Sequence, residues 1–89
     1  MDKRKLHAKM ATYFKGLRTK AGDTQYEMAE KLDMKYCQQV SQIESGVLAI
    51  PTKYFRVLEE RYGAKISKLI SLSVDIYKQK LNDQIANGK

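Results

Sequence analysis

The chain has 89 residues, 43% of them apolar and 30% charged, a composition that suits one folded core better than a disordered tail. Seventeen Lys and Arg stand against ten Asp and Glu, and a net charge of +7 on so small a surface favours polyanionic partners, nucleic acid before anionic membrane. The longest apolar run, Val47-Leu48-Ala49-Ile50, is far below the roughly 20 residues that span a bilayer.

Lys3-Arg4-Lys5 imitates the start of a signal peptide, but Lys9, Lys15 and Arg18 interrupt the segment after it, so a cytoplasmic protein with no membrane partner is expected. A lone Cys37 and a single His7 supply neither an intramolecular disulfide nor a zinc ligand set. No catalytic triad or Gly-rich phosphate loop occurs, so the expectation is of no enzyme, no metal and no cofactor.

Helical spacing governs the elements in chain order, and sustained alternation of period two is absent. Leu6, Met10, Phe14 and Leu17 form one stripe of a first helix over about residues 3–20, capped by Asp2 and ended by Gly22. Thr24-Gln25-Tyr26-Glu27 has the spacing of a capping box, which predicts a second helix running to Lys31 or Leu32. A break over Asp33 to Tyr36 precedes a third helix over about residues 37–45, with Val40 and Ile43 on its inner edge and Gly46 as its stop. Pro51 and Thr52 open a fourth helix that Gly63 ends, with Phe55, Leu58 and Tyr62 on one side. Ile66, Leu69, Ile70, Val74, Tyr77, Leu81 and Ile85 then recur at three- and four-residue steps, as one long helix or as two jointed near Ser71 and Ser73.

Charge is uneven along this plan. Residues 1–20 hold seven Lys or Arg against Asp2, whereas residues 21–46 hold Lys31 and Lys35 against Asp23, Glu27, Glu30, Asp33 and Glu44. Glu27, Glu30 and Glu44 are expected on the back of the central segment, with Glu44 projecting off the third helix.

That central segment is the informative one. Too few residues separate the second and third helices for them to lie side by side, so a steep crossing is expected, and a steep crossing needs a small residue beneath it. Ala29 meets that need, flanked by Met28 and Leu32 as the floor on which Val40 and Ile43 seat the third helix.

The run Thr24-Gln25-Tyr26-Glu27-Met28-Ala29-Glu30-Lys31-Leu32, continued by Val40-Ser41-Gln42-Ile43-Glu44-Ser45-Gly46, resembles the helix-turn-helix of phage repressors and Cro proteins, the xenobiotic-response-element family. Leu17-Arg18 before Gly22 resembles the end of that family's first helix. Pro51 to Gly63, with Ile66 and Leu69, resembles its fourth and fifth, so the likeness covers roughly residues 6–70. Three departures stand out: Asp33 where Gly is usual, a distance from Asp33 to Val40 one residue longer than the common pattern, and an apolar Val47–Ile50 loop where relatives often carry Lys or Arg. Asp tolerates the left-handed backbone better than most residues.

The resemblance implies an all-α fold: a five- to six-helix lambda-repressor-like DNA-binding domain over residues 1–70, with its motif at 24–46, and a C-terminal helical extension over 71–89 for dimerisation or packing. It also implies that the third helix enters the major groove of double-stranded DNA. On a helical wheel the face opposite Val40 and Ile43 carries Gln38, Ser41, Gln42 and Ser45, with Gln39 on the flank, and these are the expected base readers. A Gln amide can pair with the N6 and N7 edge of adenine, so Gln38 and Gln42 lead. Gln25 matches the family's phosphate-binding position at a helix start; Arg18, Lys35, Tyr36, Thr52 and Lys53 are further phosphate candidates. Ile70, Val74, Tyr77, Leu81 and Ile85 are the expected dimerisation stripe, since two half-sites require two subunits. The resulting expectation is a dimeric transcriptional regulator of repressor or Cro type. Alternatives are an antitoxin that covers a toxin and represses its own operon, or a restriction-modification controller protein; a toxin or polymerase is then the protein partner.

Overall fold

A computed structural model describes residues 7–86. Among these residues all regular structure is helical: α1 spans Ala8–Ala21, α2 Gln25–Lys31, α3 Gln38–Glu44, α4 Phe55–Tyr62 and α5 Ile66–Ala86, with a short 3-10 turn at Thr52–Tyr54 leading into α4. The expected Asp2 cap, the Lys3-Arg4-Lys5 run and Leu6 lie outside the described residues, as does the end of the chain beyond Ala86. Within the described part, the first helix begins at Ala8, with His7 at its cap position, and the expected start near residue 3 lies outside the described residues.

Local chemistry sets the helix ends. The Thr24 hydroxyl accepts from the Glu27 amide at 3.1 Å and the Glu27 carboxylate accepts from the Thr24 amide at 2.8 Å, so the capping box closes in both directions. α1, α2 and α3 all terminate in the same way, with one residue in the left-handed region and the next amide reaching back five residues. Those residues are Gly22 (φ 77°), Asp33 (φ 56°) and Gly46 (φ 83°), and the returning bonds are Asp23 N–H to Arg18, Met34 N–H to Ala29 and Val47 N–H to Gln42. Asp33 therefore takes the role that glycine has at the other two ends.

The core gathers Met10, Phe14, Met28, Ala29, Leu32, Val40, Ile43, Leu58, Leu69, Leu72 and Ile76 with the loop residues Met34 and Ile50. α1 packs against α3 and also touches α4 and α5, so it is the element that the others surround. The floor expected under α3 is present: Met28, Ala29, Leu32, Val40 and Ile43 are all buried. Each large side chain buried this way contributes about 1.5–3 kcal/mol relative to exposure.

The C-terminal stretch forms a single helix with no joint at Ser71 or Ser73. It runs straight through the expected boundary at 70/71, and Leu72 and Ile76 belong to the common core. No helix of the described residues is long and apolar enough to cross a membrane.

Candidate nucleic-acid interface

α3 has two opposite faces. Val40 and Ile43 are fully buried against α1 and α2, while Gln38, Ser41, Gln42 and Ser45 are exposed and Gln39 is half-buried. The expected helical wheel and the observed exposure agree residue by residue. The four exposed groups are neutral and carry both donors and acceptors. Of their side chains, only Ser45 makes a hydrogen bond among the described residues, through Oγ to the Gln42 carbonyl at 3.0 Å. The N-terminal end of α3 lacks a side-chain cap, with Cys37 exposed at the cap position.

A partly buried polar cluster ties down the C-terminal end of α3. Arg18 Nε donates to Glu44 Oε2 at 2.5 Å, and Arg18 Nη2 donates to Glu44 Oε1 at 3.1 Å. Arg18 Nη1 donates to the Asp23 carbonyl, and Gln25 Nε2 donates to Glu44 Oε1 at 3.1 Å. The end of α1, the start of α2 and the end of α3 thus converge on one carboxylate. The Arg18 and Glu44 side chains are only 15% and 6% exposed, and the short contact to Glu44 raises the Arg18 pKa, keeping the pair ionised. The expectation that Glu44 projects off the back of the motif is corrected here: it points inward because Arg18 neutralises it.

This cluster redefines two of the phosphate candidates. Arg18 has three of its five N–H groups committed inside the protein, leaving two for an outside anion. Gln25 has one amide N–H on Glu44 and sits at the first turn of α2, where unpaired backbone amides face outward. Lys35 and Tyr36 lie before the other end of α3, both exposed, with Lys35 Nζ 5.5 Å from the Tyr36 ring centre. Candidates for phosphate contact therefore bracket α3 from both ends. Thr52 and Lys53 stand apart, exposed on the 3-10 turn, with Lys53 over the Tyr54 ring at 5.2 Å and bordering a shallow depression beside Asp33.

A second polar cluster braces the α1–α2 turn. The Tyr62 hydroxyl donates to Asp23 Oδ2 at 2.6 Å, and Lys31 Nζ reaches both Asp23 oxygens at 3.0 and 2.9 Å. The Tyr62 hydrogen bond, then Lys31, holds the Asp23 carboxyl below its ordinary value of 3.8; desolvation, then the same hydrogen bond, pushes the Tyr62 hydroxyl well above the usual phenol range. Two of the five acids of the central segment, Asp23 and Glu44, are thus ion-paired.

Sequence reasoning missed these clusters, and it missed His7. His7 is buried, with Nδ1 3.0 Å from the Gly46 carbonyl, and it ties the start of α1 to the end of α3. No spacing rule signals partners 26 to 39 residues apart. The apolar stripe expected to serve dimerisation lies on an exposed face of α5: Ile70 is 50% exposed, Val74 44%, Tyr77 63%, Leu81 39% and Ile85 77%.

Comparison with protein-family models, with curated proteins and with solved structures gives no match for this chain.

Proposed function

We propose that this chain is a sequence-specific double-stranded-DNA-binding transcriptional regulator of phage-repressor and Cro type, acting in the cytoplasm as a homodimer. The observation that carries this reading is the outer face of α3. Four neutral polar side chains are exposed on it, while its inner face is fixed by Val40, Ile43 and the Arg18–Glu44 pair. A surface helix with no other duty has little need of such rigid seating, whereas base readout does, because hydrogen bonds to base edges tolerate little positional error. Gln38 and Gln42 read bases, with Gln39, Ser41 and Ser45 beside them. The first turn of α2 at Gln25, with Arg18 behind it, meets one phosphate strand. Lys35 and Tyr36 meet the other, and Thr52 and Lys53 add contacts from the α4 side.

Dimerisation through α5 completes the reading. Ile76 is the last buried residue among the described residues, and the following turns carry the exposed Tyr77, Leu81 and Ile85. Together with Ile70 and Val74 they make a stripe at steps of four, three, four and four, close to the seam of two paired helices. The exposed part of these five side chains amounts to roughly 500 Å² per subunit, below the ~800 Å² per partner of a standard interface, so flanking residues of α5 must contribute the rest.

Enrichment of bound duplexes from a random pool, followed by fluorescence anisotropy, tests the proposal. The wild type is expected to prefer its selected site over random duplex by at least about a thousandfold at moderate salt. Gln38→Ala and Gln42→Ala are expected to lose preference at individual base pairs. Absence of any preferred site contradicts base readout. Sedimentation equilibrium of the wild type and of Leu81→Lys tests the stripe, with a dimer expected for the first and a monomer for the second. A wild-type monomer that co-purifies with a tightly bound second protein would favour the antitoxin alternative.

A further inference from the structure

An open groove of about 590 Å³ lies between α1, the α4–α5 turn and the first turn of α5, and no residue of α2 or α3 lines it. Its floor is Tyr13, Leu17, Tyr62 and the backbone of Gly16. Both tyrosine hydroxyls are already engaged: Tyr13 accepts from the Lys65 amide at 3.1 Å and Tyr62 donates to Asp23. What the rings offer to an occupant is therefore carbon. The rim is formed by Lys20, Lys65 and Lys68, and among the described residues none of the three forms an ion pair with a carboxylate. α5 begins here, and the amide end of this 21-residue helix adds to the positive potential.

Gly16 is the second observation. It sits inside α1, where glycine is destabilising relative to alanine, and a Cβ built on it meets nothing within 4 Å. Neither a turn nor a close approach within the domain requires a glycine at this position. Its effect is to leave the groove open.

We infer that this groove is a docking site for an acidic amphipathic segment of a partner protein, with an apolar side chain seated over Gly16 between Tyr13, Leu17 and Tyr62, and carboxylates on Lys20, Lys65 and Lys68. Charge complementarity selects this occupant. A second copy of the chain offers its α5 stripe with Lys78 and Lys80 beside Tyr77 and Leu81, which would bring like charge to a lysine rim. The phosphate backbone of DNA would satisfy the lysines but leave the apolar floor without a partner. The inference goes beyond the DNA-binding reading and stands whether or not α3 reads bases.

The test is a titration of the full ¹⁵N-labelled chain with two synthetic amphipathic helical peptides that share a Leu- and Phe-bearing face. One has Glu at all flanking positions and the other has Lys. The acidic peptide is expected to shift the amides of Thr12, Gly16, Lys20, Gly63 and Lys68 at low salt, the Lys peptide to leave them in place, and added salt to weaken the effect. Gly16→Leu, which fills the groove, and the Lys65→Glu/Lys68→Glu double variant are each expected to weaken binding by at least about fivefold. The double variant changes only exposed residues and keeps the test valid should Gly16→Leu fail to fold. The inference is overturned if neither peptide binds, if both peptides shift the same amides equally, if the shifts fall on Tyr77 to Ile85 instead, or if a random-sequence duplex displaces the acidic peptide from these amides.

Discussion

The body formed by α1 to α4 and the outer half of α5 obey opposite rules. In the body, all four helices end on a left-handed residue, α2 starts on a closed capping box, and Glu44 and Asp23 are matched by Arg18, Lys31 and Tyr62. Among the described residues no buried side-chain nitrogen or oxygen lacks a hydrogen-bond partner. The turns of α5 after Ile76 contribute no buried residue among the described residues and expose Tyr77, Leu81 and Ile85. Isolated helices shorter than about 12–15 residues are marginal in water, so these last turns gain little stability from helix propensity alone. The contrast separates the parts whose polar and apolar groups are satisfied internally from the exposed surfaces on which the proposals rest: the α5 stripe, the outer face of α3 and the α1–α5 groove.

Substitutions that disrupt the body have the largest expected effect. Phe14→Ala removes a fully buried ring from the element that the others surround, and its expected cost is about 3–5 kcal/mol in chemical denaturation. Arg18→Met follows at about 3 kcal/mol, because it strands the Glu44 carboxylate with Gln25 as its remaining side-chain donor. The same variant is expected to weaken DNA binding, since α3 loses the anchor at its C-terminal end. A melting temperature equal to wild type would show that the pair does not fix α3.

The Asp23 cluster sharpens the comparison through pH. Because the folded carboxyl titrates below its ordinary value of 3.8, the cluster adds stability above that pH and loses it as pH falls toward the lower, folded value. Denaturation midpoints across this acid range are expected to fall less steeply in Asp23→Asn than in the wild type. At the alkaline end the sign reverses. The Tyr62 hydroxyl is harder to ionise when folded, so its contribution is present below pH 10 and declines above it, and Tyr62→Phe is expected to remove that decline.

The smallest expected effect is a gain. Gly16→Ala adds a methyl group to open space inside α1 and is expected to stabilise by about 0.5–1 kcal/mol. Thermal unfolding reads this directly, and a loss of stability would mean that the glycine serves the fold after all.

Distance along the chain decides which parts of this were legible in the sequence. The Thr24–Glu27 box, the stops at Gly22, Gly46 and Gly63, and the left-handed turn at Asp33 are set by groups within five residues of one another, and composition marks them. The two faces of α3 and the open stripe of α5 were legible because amphipathic spacing reports burial. The continuity of α5 past Ser71 and Ser73 was not, since spacing alone fits one helix or two. Met34 reads as part of a break, yet the turn at Asp33 returns it to the core. Arg18 with Glu44, Asp23 with Tyr62, and His7 with Gly46 join residues 26 to 39 positions apart, and only the packing of the helices brings them together. Their effect on the candidate site is large, because they decide how α3 is held and which acids of the central segment are ion-paired.

The most direct measurement substitutes 7-deazaadenine, which lacks N7, for single adenines in the selected duplex and compares the wild type with Gln38→Ala and Gln42→Ala by anisotropy. At the adenine each glutamine reads, the wild type is expected to lose affinity by about five- to tenfold, and the matching alanine variant to be indifferent to the missing nitrogen. Equal losses in wild type and variants, or no loss at any adenine, would contradict the assignment of these two side chains to base recognition.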